Sequence, residues 1–186
     1  METEEILLEA EERMENAVEA LHNAFGSVST GRASGKVLDR IRVDYYGAMT
    51  PINQLAGVKA PDAHLLVIEP WDKSSLKSIE RAIMESDLGV TPSNDGMVIR
   101  LPFPELTEER RRELVKLCKG YAEDARVSVR NARRDANTAL SKAEKASEIT
   151  EDDLRRGEND VQKLTDKYIA KIDEAFKAKE AEVMEI

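Results

Sequence analysis

The sequence predicts an α+β protein of two domains: an elongated three-helix bundle, and a small β/α/β sandwich inserted between its first and second helices. The first observation behind this is where proline falls. All six prolines, Pro51, Pro61, Pro70, Pro92, Pro102 and Pro104, lie in the middle of the 186-residue chain. Proline removes a backbone donor and clashes with the preceding helical turn, so the flanks can be long helices and the middle cannot. The second is composition, 35 % charged and 4 % aromatic, the balance of helices with salt-bridged surfaces. The third is periodicity, which is helical in both flanks and β-like between them.

The N-terminal flank places Ile6, Ala10, Met14, Ala17, Leu21, Ala24 and Val28 at intervals of three and four, which makes one helix with one apolar stripe. In the middle, VLDRIRVDYYG is β-branched and partly alternating, and QLAGVKA and HLLVIEP read as further strands. KSSLKSIERAIMESDLG predicts a short amphipathic helix with Gly89 as its C-cap, and MVIRLP a last strand. Two strands around a helix, plus a hairpin, give the sandwich. Thr107 then caps a new helix, with Glu108 and Glu109 in its first turn, where the helix dipole favours anions. Leu114, Cys118, Tyr121, Ala125, Val129, Ala132, Ala136 and Leu140 carry its stripe, and a helix over 107–146 would be about 60 Å long. Thr150 with Asp153 three residues on is a capping-box pattern. It opens a third helix with the stripe Leu154, Val161, Leu164, Tyr168, Ile172 and Ala175.

No one of these helices can bury its stripe alone, and three can bury one another. The bundle is therefore discontinuous, 1–30 with 105–186, and the insertion spans 31–104. Two links join the parts, near Gly31 and near Pro102 to Pro104, a double connection that favours hinge motion.

The formal net charge is −9, which argues against non-specific nucleic-acid binding by the whole surface but leaves local patches open. Cys118, the one cysteine, has no partner for an internal disulfide, as expected in a reducing compartment. METEEILLEAEERM is acidic and amphipathic, unlike a signal or transit peptide. No apolar run approaches the roughly 20 residues that span a bilayer. A monomeric cytoplasmic protein without a membrane partner is expected.

Charge is uneven along the chain. Residues 106–142 hold ten basic and six acidic residues, a net +4, while the 18 basic and 31 acidic residues elsewhere give −13. Arg112, Lys116, Lys119, Arg126, Arg130 and Arg133 follow helical spacing as one stripe. Arg112 and Leu114 are two residues, about 200°, apart, so the basic and apolar stripes lie nearly opposite. Such a face is either ordinary solvated surface, its arginines paired with Glu123, Asp124 and Asp135, or a polyanion site. Guanidinium forks suit phosphate oxygens, and each contact would be salt-dependent rather than base-specific.

No catalytic constellation is visible. His22 and His64 are expected in structural or surface roles, Cys118 as a buried packing residue, and Tyr45, Tyr46 and Trp71 in the core. GRASG lacks the Lys-Ser/Thr ending of a phosphate loop, and no Cys/His spacing suits zinc. An enzyme, a cofactor and a metal are not expected.

Several motifs, in this order and at these separations, resemble the bacterial ribosome recycling factor family: TGRAS, DYYGAMTPINQLA, SDLG, LTEERRREL, VSVRNARRDAN and VQKLTDKYIAKI. The resemblance implies a three-helix bundle with a hinged second domain, L-shaped and similar in outline to tRNA. It implies binding in the vacated intersubunit tRNA space, with the bundle along ribosomal RNA of the large subunit. It also implies elongation factor G, bound to GTP, as the partner that drives the subunits apart. Arg130 and Arg133 in VRNARR are then the first candidates for ribosomal RNA contact. Arg111 or Arg112 in LTEERRREL and Arg32 in TGRAS come next, and the basic stripe adds Arg126. The hinge falls at Thr30 and Gly31 and at Pro104 and Glu105. Ser29 stands where the family usually carries an arginine. The competing reading is a helical-bundle interaction scaffold or chaperone-like protein, which would need its apolar stripes exposed or a stable oligomer.

Overall fold

The computed structural model describes residues 2–185. Its elements in order are helix α1 (Thr3–Gly26), strands β1 (Arg42–Tyr45), β2 (Ala48–Pro51), β3 (Ala56–Asp62) and β4 (Leu65–Pro70), helix α2 (Leu76–Glu85), strands β5 (Ser93–Asn94) and β6 (Ile99–Pro102), and helices α3 (Glu108–Lys145) and α4 (Glu151–Met184). The chain divides into two compact units: Asn23–Leu114 is one, and the segments before and after it together form the other. These borders run through the last turn of α1 and the first turns of α3, not through the links at 30/31 and 104/105. The start of α3 stays with the inserted unit for a visible reason. The guanidinium of Arg110 lies over Gly89, where an added Cβ would meet it at 3.0 Å.

In the helical unit the stripes turn inward, with Met14 of α1, Cys118, Val129 and Leu140 of α3, and Val161 and Ile172 of α4 all sealed from solvent, while Ala17, Tyr121, Leu154, Leu164 and Ala175 of the expected stripes are half-buried. Ile6, Ala10, Ala136, Leu140 and Val161 form one cluster drawn from all three helices. The alanines of α3 allow close approach, and so does Gly157 of α4, where a Cβ would meet the Leu140 methyls at 2.9 and 3.0 Å. Polar bridges join every pair of helices. Arg13 pairs with Asp135 at 2.8 Å, and Arg126 with Asp173 at 2.8 Å. The Tyr168 hydroxyl points between Glu11 and Glu15, 3.0 Å from each. The helix starts follow the sequence: Thr107 Oγ1 accepts the Arg110 N–H at 3.1 Å, and Thr150 and Asp153 form a reciprocal capping box.

The inserted unit is a four-stranded antiparallel sheet of order β3-β4-β6-β5 with a separate β1-β2 hairpin. Leu66 and Ile68 of β4 stand opposite Leu101 and Ile99 of β6, and α2 covers this core through Leu76, Ile79 and Ile83. Tyr46 and Gly47 both have positive φ, 50° and 84°, the backbone that a tight two-residue hairpin needs. In the turn before β6, Asp95 accepts the Met97 and Val98 N–H groups at 2.9 Å and an Arg100 nitrogen at 3.0 Å. These bonds hold its carboxyl at about 2.

Three expectations need correction. The VLD end of the first predicted strand belongs instead to a 3₁₀ turn, Gly35–Leu38, capped by Ser34. Helix α2 stops at Ser86, whose hydroxyl bonds back to the Ile83 carbonyl at 2.6 Å. Gly89 lies beyond it, at φ +71°. Tyr46 and Trp71 are not core residues but 83 % and 68 % exposed. Tyr46 sits in the hairpin turn, and β4 buries Leu66, Ile68 and Pro70, so the period-2 alternation carries Trp71 outward. Of Tyr45, Tyr46 and Trp71, only Tyr45 packs against the core, half-buried, while Phe103 lies within it.

Gly157→Ala tests the packing. Helix propensity favours alanine by about 1 kcal/mol, whereas overpacking costs about 1–3 kcal/mol. Because Leu140 is fully buried and cannot swing away, the clash prevails and urea denaturation should show net destabilisation. Tyr168 gives a pH test. Burial and the neighbouring Glu11 and Glu15 push its phenol well above the usual value of 10.0. The neutral phenol therefore contributes stability that is complete below that value and is lost as pH rises through the folded one. In denaturation series above about pH 10, wild type should lose stability more steeply than Tyr168→Phe.

Candidate nucleic-acid interface

Burial of α3 through Cys118, Ala122, Ala125, Val129, Ala132, Ala136 and Leu140 fixes its rotation. The opposite side presents Arg112, Lys116, Lys119 and Arg130, all exposed. The stripe is not continuous, however. Glu123 falls on the same helical line, four residues after Lys119 and three before Arg126. Its carboxylate accepts Arg130 at 3.1 Å and Arg126 at 3.2 Å, and these two partners, Arg130 first, hold its pKa below the usual range.

Arg126 departs from the outward-facing expectation. Its Nε and Nη2 both reach Asp173 Oδ1 of α4, at 3.1 and 2.8 Å, and its side chain is only 21 % exposed. That bond to Asp173 is the main cause that raises its pKa, working against the desolvation of its partly buried head group. Arg126 is thus a bundle tie first. A solvent-facing side chain four or seven residues away on a helix is not guaranteed the same freedom when a neighbouring helix offers a carboxylate.

Beyond Glu123 the character changes. An open groove of about 670 Å³ runs along the second half of α3, lined by the cations Arg130, Arg133, Arg134, Lys142 and Lys145. Asn131, Asn137, Thr138, Ser141 and Gln162 of α4 complete the wall, and no carboxylate lines it. Arg133 lies 3.4 Å from the Gln162 amide oxygen, a loose contact that leaves its fork available. The Asn137 amide oxygen is buried there without a hydrogen-bond partner. Five cations line one groove on a packed helix, one of them, Arg130, paired at its edge with Glu123, an arrangement whose chemistry suits an extended chain of phosphates better than a single ion.

Arg130 and Arg133 are therefore brought together, and Arg126 stands beside them engaged with Asp173. Arg32, Arg111 and Arg112 belong to the other unit. Arg32 is exposed, Arg111 donates to the Leu106 carbonyl at 3.3 Å, and Arg112 forms an exposed pair with Glu108 at 2.7 Å. Sequence reading missed Arg134, Lys142 and Lys145 as site residues. Their signal was present, because Arg130, Arg134, Ser141 and Lys145 also follow helical spacing. At the links, Gly31 is buried with φ +83° and backs onto Leu106 and Pro104, while Thr30 is half-buried and Pro104 and Glu105 are exposed. Ser29 turns its hydroxyl toward its own backbone, 3.4 Å from the Gly31 nitrogen. Among the described residues, no cluster of three or more His, Cys, Asp or Glu side chains is arranged to hold a metal. No described helix is long and apolar enough to cross a membrane.

The family model described as Ribosome recycling factor matches residues 21–184. The chain belongs to the ribosome recycling factor family. A ribosome-recycling factor from Oleidesulfovibrio alaskensis is 58 % identical over 181 residues, 97 % of this chain and 98 % of that one. One from Bacillus thuringiensis is 58 % identical over 183 residues, 98 % and 99 % of the two chains. A solution structure of the ribosome recycling factor superposes with a TM-score of 0.76 at 44 % identity, over 100 % of this chain and 99 % of the other. A second structure, also 44 % identical and with a TM-score of 0.63, covers 99 % of this chain and all of its counterpart. It describes the T. thermophilus ribosome recycling factor and E. coli elongation factor G bound to the E. coli post-termination complex. The family is one of translation factors rather than enzymes, and the matches extend through both units of the fold.

The division of labour on α3 can be measured as stability. Arg126→Ala removes an interhelical tie and should cost the bundle about 1 kcal/mol. Arg130→Ala, which removes an exposed pair, should stay within about 0.5 kcal/mol of wild type. Equal losses in urea denaturation would contradict this assignment.

Proposed function

We propose that the chain recycles ribosomes after termination. It enters the intersubunit tRNA space of the post-termination ribosome and lays the basic groove of α3 along ribosomal RNA of the large subunit. With elongation factor G, and with GTP hydrolysis by that factor, it splits the ribosome into subunits and frees mRNA and tRNA in the cytoplasm. The observation that carries this reading is the five-cation groove without a lining carboxylate, set on a chain whose family relative has been described on the post-termination complex with elongation factor G. Rigid RNA is recognised through its backbone and shape, which suits cations held at fixed intervals on a long helix. The hinge at Thr30 and Gly31 and at Pro104 and Glu105 would let the inserted unit be driven while the bundle stays docked.

The scaffold or chaperone-like alternative loses its surface. It needs apolar stripes open to a partner helix, yet Met14, Val129 and Ile172 are fully buried within the chain's own bundle.

Two measurements test the proposal. In light scattering of post-termination complexes, splitting should require this protein, elongation factor G and GTP together, and omission of any one should abolish it. In large-subunit binding across a salt series, Arg130→Ala and Arg133→Ala should each weaken binding and make the log–log salt slope shallower by about 1. Unchanged slopes would remove these arginines from the contact.

A further inference from the structure

The chain passes from α1 to the sheet and back to α3 through two links that both lie inside Asn23–Leu114, and one side chain bonds both. His64 lies in the turn between β3 and β4. Its Nδ1 is 2.9 Å from the Gly31 carbonyl oxygen and 3.0 Å from the Phe103 carbonyl oxygen. Both partners can only accept, so Nδ1 carries the proton and shares it between them. The surrounding backbone reinforces the site. Ala33 N–H donates to the Ala63 carbonyl at 2.7 Å, and Phe103 N–H to the His64 carbonyl at 2.6 Å. Asp62 Oδ1 accepts the His64 N–H at 2.7 Å and orders the turn. These backbone bonds fasten each link to the turn separately. The imidazole hydrogen-bonds the outgoing link to the returning one, and the two links also touch where Gly31 backs onto Leu106 and Pro104; all of these residues lie within Asn23–Leu114.

We propose that His64 is a positioning residue that couples the two links of the hinge. By bonding both carbonyls it fixes their separation. Rotation is then excluded from Phe103 and from Gly31, against which Leu106 packs, and this narrows the proposed hinge to Ser29–Thr30 on one link and Pro104–Glu105 on the other. Phe103 suits this role, being buried and followed by a proline that restricts its backbone. Gly31 suits it too, because its φ of +83° and its contact with Leu106 leave a side chain no relaxed place. Two links fastened at one point turn about a single axis, whereas two free links twist independently. The hinge so defined deepens the recycling reading, but the coupling itself rests on geometry within one unit.

The test uses free protein, so a failed splitting assay would leave its result standing. Spin labels on Ser78→Cys in α2 and Ser128→Cys in α3, both exposed positions, report the spread of inter-unit distances. Cys118 is fully buried and its thiol is pushed up by desolvation, so it should not take label. His64→Ala and His64→Gln should broaden the distance distribution roughly twofold or more. His64→Asn, whose amide nitrogen stands where Nδ1 does, should restore the narrow one. Amide exchange at Leu66 and Leu101 is read alongside. An unchanged distribution in His64→Ala overturns the proposal. Broadening in His64→Asn equal to that in His64→Ala does so as well. Broadening accompanied by lost protection at Leu66 and Leu101 assigns His64 to folding of the sheet, and also overturns it.

Discussion

The constraint on which the rest depends is the azimuth of α3. A helix of 38 residues could present its arginines in any direction if it stood alone. Here one face is buried from Leu114 to Ala143, and rotation by one residue, about 100°, would drive an arginine into the bundle interior. Desolvating an unpaired guanidinium costs several kcal/mol, so the rotation is effectively locked. The polar bridges act in the same direction. Arg13–Asp135, Arg126–Asp173 and Tyr168 with Glu11 and Glu15 each join a different pair of helices. Any one contributes little at the surface, but together they set the register in which the apolar stripes meet. Lys167 and Lys171 lie 5.3 and 4.9 Å from the centre of the Tyr168 ring, and Lys167 adds an ion pair to Glu11 at 3.7 Å beside that last bridge.

Much of this was legible in the sequence, and the reasons are specific. Proline placement separated the two parts because proline's effect on helices is local and needs no partner. Thr107 and Thr150 predicted their helix starts because a cap is satisfied within three residues. The stripes were readable because helical period is intrinsic to the backbone. What failed needed knowledge of a neighbour. Arg126 looked like its exposed siblings until Asp173 of α4 came within 2.8 Å. Gly89 looked like a C-cap, but Ser86 ends α2 first, and the missing Cβ at Gly89 serves Arg110 instead. His64 gave no signal at all, since both of its acceptors are backbone carbonyls distant in sequence. Glu123 and Trp71 are different cases. Helical spacing placed Glu123 within the basic stripe, and β alternation placed Trp71 on the outer face, so both were decidable from order alone.

The acid inside the basic stripe bears on how a net charge of −9 is compatible with a polyanion partner. Acidic surface elsewhere opposes indiscriminate adhesion to phosphate backbones, so only a locally positive groove can bind. Glu123 marks one end of that groove, because it neutralises Arg126 and draws on Arg130. Arg130 then faces a choice between a carboxylate on its own helix and a phosphate in the groove. The exposed Arg130–Glu123 pair is worth about 0–1 kcal/mol, whereas a charge-assisted hydrogen bond to a partly desolvated phosphate contributes about 1.5–3 kcal/mol. On those magnitudes a phosphate would prevail in the contact proposed above, and Glu123 would keep Arg126 as its partner. The carboxylate thus holds Arg130 at the edge of the groove, at a cost small enough for a phosphate ligand to override.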